Sequence, residues 1–297
     1  MMFEKIKNAF PKIRENEPLK QHCTFRVGGP ADLFYELKNI DELPELIRLA
    51  EEASLPYKII GRGSNCLFTD AGFRGLIVKN VSTTIRVEPP YIYADGGAVL
   101  ALVLRAAVEH NLAGLEPLFG LPGSIGAAVW GNAGVPGTEV GQFVESVELF
   151  NPREGVRTVP AAEIKFDYRH TSLQDGDDIV MRVKLKLKPG AESRSKEEML
   201  VINEIRRGKQ PAGMTAGSFF KNPSKDKPAG WLIDQAGLKG EQLGGAQISP
   251  KHANFFMNTG SATADELIKL SQKAQNKVKE DFGIDLHSEV KIIGEAD

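Results

Sequence analysis

Ser218 stands in the segment TAGSFFKNP, residues 215–223, between a glycine and two phenylalanines, with Lys221, Asn222 and Pro223 behind it. An ordinary loop accounts for Gly217 and Pro223 but not for the apolar pair. A hydroxyl so placed is either a turn or cap group, or a small donor beside a dry site. Two glycine-rich segments could supply a ligand for such a site. In IIGRGSNCLFTDAGFRG, residues 59–75, a short apolar strand runs into Gly61, Arg62, Gly63, Ser64 and Asn65. Glycines let the backbone approach a ligand and aim N–H groups at an anion, and Ser64 and Asn65 add side-chain donors. The loop suits a diphosphate; a plain tight turn between strands is the alternative. It lacks the third glycine and following helix of a dinucleotide fingerprint, and the Gly-Lys-Ser/Thr of a P-loop. The second segment, GLEPLFGLPGSIGAAVWGNAG at 114–134, spaces Gly120, Gly123 and Gly126 three apart ahead of Ala127 and Ala128. That density of small residues admits a flat or phosphate-bearing ligand, or else the close packing of two elements. Together the two segments point to a large cofactor, each holding one part of it.

The elements that must carry these residues are legible from periodicity and caps. Leu43, Leu46, Ile47 and Ala50 form a helical stripe after Asp41, and Val99, Leu102, Val103 and Ala106 a second. Ser195 with Glu198 reads as a capping box ahead of Met199, Ile202 and Ile205, with Gly208 ending that helix. Thr263 with Glu266 repeats the device before Leu267, Leu270, Ala274 and Val278. In IVMRVKLKLK, Ile179, Met181, Val183, Leu185 and Leu187 alternate with polar residues, predicting a half-solvated antiparallel strand. YKII, LIV, YIYAD, VESVELF, NFFMN and EVKII are shorter strand candidates. Few helices separate the middle strands, so a regular βαβ series is not supported and the fold class reads as α+β. A boundary is expected at Pro189-Gly190, where the charged stretch AESRSKEE begins, giving a region 1–190 and a domain 191–297.

The chain has 297 residues, 41% hydrophobic and 26% charged, with a net charge of -2. This is the composition of a soluble globular protein of two domains or three lobes, without the basic face that nucleic acid requires. Arg206, Arg207 and Lys209 form a dense positive spot at a helix end, which suits a local anion site or helix-end electrostatics. Two cysteines, Cys23 and Cys66, without metal-like spacing, suit a reduced intracellular protein. The charged N-terminus shows no signal peptide, and no run reaches the ~18–20 apolar residues that span a bilayer. The expectation is a cytoplasmic protein that does not enter the membrane. His22, His110, His170, His252 and His287 show no metal spacing, so no metal site is expected; His252 in SPKHANFF lines a site or is a satisfied structural histidine. GSIGA is not the hydrolase motif GxSxG.

TFRVGGPAD (24–32), GRGSNCLFTDAGFRG, LPGSIGAAVWGNAG, FDYRHTSLQ (166–174), AGSFFKNP and LHSEVKIIGE (286–295) occur in this order. Together they resemble the UDP-N-acetylenolpyruvoylglucosamine reductase family of flavoenzymes, over nearly the whole chain from Asn16 to Glu295. The resemblance implies a two-lobed FAD-binding region of the vanillyl-alcohol-oxidase-like class, lobes about 1–82 and 83–190, and a C-terminal α+β substrate-binding domain. It implies non-covalent FAD, NADPH as hydride donor, and reduction of UDP-N-acetylglucosamine enolpyruvate to UDP-N-acetylmuramate for peptidoglycan, by a monomer. GRGSN (Gly61, Arg62, Gly63, Ser64, Asn65) and PGSIG (Pro122, Gly123, Ser124, Ile125, Gly126) match the family's flavin-binding positions. Ser218 matches its proton-donating serine, and Arg169 and Glu289 its other two catalytic positions. Tyr168, Lys209 and Asn222 match substrate-binding positions. Thr171 replaces the serine expected in YRxS, and the short turn before Ile179 leaves no room for the inserted loop of the family's longer form.

The implied reaction adds a hydride from flavin N5 and a proton across an enol ether that carries a carboxylate. Negative charge then spreads into that carboxylate. Arg169 can meet it with a permanently protonated fork. Glu289 helps only if it is protonated or orients another donor. Ser218 is small enough to deliver the proton from the face opposite the flavin, with Phe219 and Phe220 excluding water. Two other functions fit the same residues: a flavin oxidase of the same superfamily acting on an alcohol or hydroxy acid, and a non-catalytic flavin- or nucleotide-sugar-binding module.

Overall fold

A computed structural model describes residues 4–294; Glu295, the last residue of LHSEVKIIGE, lies outside them. Seven α-helices are formed among the described residues: α1 (Glu4–Ala9), α2 (Leu43–Glu52), α3 (Leu100–Glu109), α4 (Ile125–Trp130), α5 (Glu192–Lys209), α6 (Ala229–Gln235) and α7 (Ala264–Phe282). The class is α+β. The chain divides into two compact units that interleave along the sequence: 1–14, 33–62 and 75–205 form the first, and 15–32, 63–74 and 206–297 the second.

The first unit holds two apolar cores. In one, the parallel strands Tyr57–Ile60 and Phe73–Asn80 pair from Tyr57↔Leu76 to Ile60↔Lys79. α1 and α2 supply Ile6, Leu43, Leu46, Ile47 and Ala50 to the core beside Leu76 and Val78. The stripe expected of α2 is therefore the buried one, although Asp41 is not its cap. In the other core, a five-stranded sheet runs in the order Gly155–Pro160, Val144–Asn151, Ile179–Lys186, Tyr91–Asp95, Ile85–Glu88. Ile179–Lys186 pairs antiparallel on both sides, as its alternation predicts. On the exposed side of this strand, Arg182 reaches three carboxylates, Asp41 at 2.5 Å, Glu148 at 2.6 Å and Asp95 at 3.3 Å. The inward residues Ile92, Val147, Val183 and Leu185 meet α3 and α4.

Two helix readings need correction. In α3 the buried residues are Leu100, Val103, Leu104, Ala107 and Val108, while Leu102 is exposed and Val99 is the N-cap. The expected stripe is thus turned by about one residue. α3 is apolar almost throughout, so periodicity alone leaves its buried face undetermined. In α5 Ser195 is no cap. It lies within the helix, buried, and donates from Oγ to Glu116 Oε1 at 2.5 Å, where the Gly114 N–H also donates to Oε2 at 2.6 Å. The bond to Glu116 takes the hydroxyl that a capping box would have used. Of the expected stripe only Met199 is buried, and the helix runs past Gly208 to Lys209.

In the second unit, Gln242–Leu243, Ala246–Ile248 and Phe256–Asn258 form a small antiparallel sheet. α7 buries Leu267, Leu270, Ala274 and Val278 and starts with the expected capping box: Thr263 Oγ1 accepts from the Glu266 N–H at 3.1 Å, and Glu266 Oε2 from the Thr263 N–H at 3.1 Å. Lys291–Ile293 pairs in parallel with Cys66–Phe68. His252 has local partners. Its Nδ1 accepts from the Asn254 N–H at 3.2 Å, its ring lies 4.7 Å from that of Phe255, and burial lowers its pKa.

Two outcomes are expected. Ser195→Ala removes a buried donor to Glu116 and should cost about 1–3 kcal/mol, measured as a lower urea midpoint; an unchanged midpoint would contradict the assignment. For His252 the unfolded chain binds the extra proton, so stability should fall as pH drops below the unfolded value of about 6.5 and level off below the lowered folded value. His252→Asn keeps an acceptor without titrating and should flatten that slope in thermal melts across pH 5–8.

Candidate active site

The second unit assembles the Ser218 segment by backbone pairing. The Phe219 N–H donates to Asn254 O at 2.7 Å, and the Glu289 N–H donates to Phe219 O at 2.8 Å. Isolated bridges join Ser218 to Phe255 and Phe220 to Ser288. Asn254, which is buried, clasps Phe220 twice: its Oδ1 accepts from the Phe220 N–H at 3.0 Å and its Nδ2 donates to Phe220 O at 2.9 Å. The rings of Phe219 and Phe220 are both 1% exposed and pack with Phe25 and Phe256, Phe219 and Phe256 having centroids 4.6 Å apart. The apolar pair thus anchors the segment, while Ser218 and Glu289 remain half-buried. Glu289 is thus bonded to Phe219, the residue directly after Ser218. Gly217, with φ +81°, makes the turn that precedes it.

Glu289 is fixed from its other side as well. Asn65 Nδ2 donates to Glu289 O at 2.9 Å, and Asn65 O accepts from the Lys291 N–H at 3.0 Å. The side chain of Asn65 is therefore engaged with the Glu289 backbone. Gly63, at φ +70°, packs so closely that a Cβ would lie 1.9 Å from His22 O, and Gly63 O accepts from the Thr24 N–H at 3.0 Å. Among the described residues, the N–H groups of Arg62, Gly63, Ser64 and Asn65 donate to no backbone carbonyl. Thr24 Oγ1 and Arg62 Nε are buried without partners. N–H groups left without a backbone acceptor in such a loop fit an anionic group such as a diphosphate.

The first unit carries the other candidates. A Cβ on Gly61 would lie 2.5 Å from Ser124 Oγ, so the start of the GRGSN loop rests directly on PGSIG. Ser124 is buried and its hydroxyl caps no helix. Gly126 serves packing: a Cβ there would lie 2.8 Å from the Gly96 backbone. Gly123 has φ +121°, and its carbonyl accepts from the Leu100 N–H at 3.0 Å. Arg169 sits at the tip of a hairpin, Phe166–Asp167 paired with His170–Thr171, with φ +54°. Its Nη2 donates to Gly134 O at 2.7 Å, and its guanidinium lies 5.1 Å from the centre of the exposed Tyr168 ring.

The remaining two candidates have plainer surroundings. Asn222 Oδ1 accepts from the Ala229 N–H at 3.0 Å, holding the first turn of α6. Lys209 is the exposed last residue of α5. Sequence reasoning passed over Asn254, whose signal was an asparagine directly before an apolar strand. It also passed over Asn132, in the WGNAG run, which is fully buried.

Comparison with known proteins matches these two regions separately. Residues 31–159 match the FAD binding domain, and residues 210–293 match the C-terminal domain of UDP-N-acetylenolpyruvoylglucosamine reductase. Curated proteins of that name share 39% identity in Caldanaerobacter subterraneus, over 99% of both chains, and 38% in Lactiplantibacillus plantarum, over 99% of this chain and 98% of the relative. The crystal structure of UDP-N-acetylenolpyruvylglucosamine reductase from Thermus caldophilus superposes with a TM-score of 0.81 at 32% identity, covering 95% of this chain and 98% of that one. With curated relatives 38–39% identical over nearly the whole of both chains, the chain belongs to the UDP-N-acetylenolpyruvoylglucosamine reductase family.

Proposed function

We propose that the chain is an FAD-dependent reductase converting UDP-N-acetylglucosamine enolpyruvate to UDP-N-acetylmuramate with NADPH, in peptidoglycan precursor synthesis. The observation that supports this reading is the backbone bond from Glu289 to Phe219, the residue after Ser218, in a chain 39% identical over 99% of its length to a reductase of that name. We read residues 1–190 as the flavin-binding region and 191–297 as the substrate domain, in a cytoplasmic monomer serving cell-wall growth, and hence cell shape and division. No helix among the described residues is long and apolar enough to cross a membrane. The family matches favour the reductase over the oxidase reading.

FAD, when bound, takes hydride equivalents from NADPH and supplies them at N5. The loop Gly61–Asn65, with its uncommitted N–H groups, and Ser124 of PGSIG would hold the cofactor's diphosphate and adjoining parts. Arg169, Tyr168, Lys209 and Asn222 receive the substrate, and Arg169 places a fixed positive fork on its carboxylate. That charge stabilises the anion as it develops, because the guanidinium is already oriented and needs no reorganisation. Ser218 donates its proton to the α-carbon from the opposite face. The aromatic cluster behind it keeps the donor dry and in place. Glu289 acts in its neutral form, since a carboxylate beside an anionic intermediate would raise the barrier.

Anaerobic stopped-flow separates the half-reactions. Ser218→Ala should slow reoxidation of the reduced protein by the enolpyruvyl UDP-sugar by about 10²–10⁴-fold while NADPH still bleaches the flavin. A reduced flavin that ignores this substrate but reacts with oxygen would transfer the assignment to an oxidase. If Glu289 works protonated, the reoxidation rate should fall as pH rises through its pKa in the complex. Glu289→Gln, neutral at every pH, should lose that alkaline limb; its persistence in the variant would contradict the neutral role.

A further inference from the structure

We propose that Asn132 and Thr171 are positioning residues for Arg169, fastening its hairpin to the last residue of α4 and the turn that follows it. The proposal rests on the role given to Arg169 above. Four hydrogen bonds join the two segments. Asn132 Nδ2 donates to Asp167 O at 2.9 Å, and Thr171 Oγ1 donates to Trp130 O at 2.7 Å. Gln174 Nε2 donates to the same Trp130 carbonyl at 3.0 Å, and Arg169 Nη2 to Gly134 O at 2.7 Å. Asn132 and Thr171 are both 0% exposed.

The amide of Asn132 is satisfied at every position the hairpin needs. Its second Nδ2 hydrogen goes to Glu139 Oε2 at 2.8 Å, and its Oδ1 accepts from the Gly141 N–H at 3.1 Å. No other side chain of that size offers two donors and an acceptor in this arrangement. Aspartate would face the Glu139 carboxylate and the Asp167 carbonyl without a donor. Gly141 completes the fit, since a Cβ there would lie 2.4 Å from the Phe166 ring.

Such fastening is needed because Arg169 has a left-handed backbone, φ +54°, which a residue with a long side chain holds only when its surroundings dictate it. Asp167 and Thr171 flank that strained tip on its two strands, Asp167 held by Asn132 and Thr171 by its own hydroxyl on Trp130 O. α4 therefore carries Ser124 before its first residue and the anchor of the Arg169 hairpin at its last residue and just beyond. A small shift of the hairpin would move the guanidinium away from the charge it must meet, while PGSIG stayed in place.

The test uses the flavin-loaded protein and its two half-reactions. Thr171→Ser should behave as wild type, keeping the hydroxyl. Thr171→Val should slow reoxidation by the enolpyruvyl UDP-sugar about tenfold and Asn132→Ala about 100-fold, with reduction by NADPH within about twofold in both. In an Arg169→Ala background these substitutions should add less than about twofold, because the interaction they act through is gone. Amide hydrogen exchange of 166–171 should quicken in Thr171→Val and Asn132→Ala, with or without flavin, and stay at the wild-type rate in Thr171→Ser. A purely structural role would instead depress both half-reactions and flavin retention together. The proposal is overturned if Thr171→Val reoxidises at the wild-type rate, or if its effect adds in full to that of Arg169→Ala. Should Asn132→Ala fail to fold, the Thr171 pair decides. If Arg169→Ala itself reoxidises normally, the role assigned to Arg169 fails and this proposal with it. A slow Arg169→Ala beside a normal Thr171→Val defeats the positioning role alone.

Discussion

The peptide groups on either side of Phe219 are hydrogen-bonded, the N–H to Asn254 O and the carbonyl from the Glu289 N–H, while its ring is sealed among Phe25, Phe220 and Phe256. Everything proposed for the second unit depends on that residue. Its buried ring fixes the depth of the segment, and its two backbone bonds fix direction and register. Ser218 and Glu289 then have little freedom left at the backbone. Asn65 adds the last restraint by holding the Glu289 carbonyl from a loop whose N–H groups remain available to an anion. Ordering each of these residues costs about 1–2 kcal/mol of backbone entropy, which the apolar burial behind them offsets during folding rather than at the moment of reaction.

The first unit solves its problem differently. Arg169 is placed by a strained hairpin tip, and strain needs supports that a strand or helix interior does not. The supports come from the last residue of α4 and the turn after it, through a buried asparagine and a threonine hydroxyl. Small residues serve double duty in the same region. Gly61 and Gly126 let backbone and side chains approach to distances that a Cβ would forbid, which fits the close packing offered for the second segment. The ligand explanation rests instead on the donors of Arg62 to Asn65, which intramolecular packing does not use.

What the sequence makes legible is whatever depends on local order. The Thr263–Glu266 capping box, the antiparallel strand Ile179–Lys186 and the buried stripe of α2 follow from neighbours within one or two turns. Ser195 shows where that logic stops: the same serine-to-glutamate spacing as Thr263–Glu266, yet its hydroxyl is spent on Glu116, 79 positions away. α3 failed for want of contrast, since an almost uniformly apolar helix gives no polar face to orient it. The site divides in the same manner. Residue types and motif order identify Ser218, Arg169 and Glu289 as candidates. That Asn65 holds Glu289, that Asn222 holds α6, and that Asn132 holds the Arg169 hairpin are long-range facts that no local spacing encodes.

The most direct measurement is a crystal structure of Ser218→Ala loaded with FAD and the enolpyruvyl UDP-sugar, in which the substrate cannot turn over. The account requires the substrate carboxylate on the Arg169 guanidinium, the Glu289 carboxyl nearby, and residue 218 facing the α-carbon from the side opposite the flavin. A substrate with its carboxylate elsewhere, or with residue 218 and the flavin on the same face, would contradict the assignment of proton donor and anion clamp together.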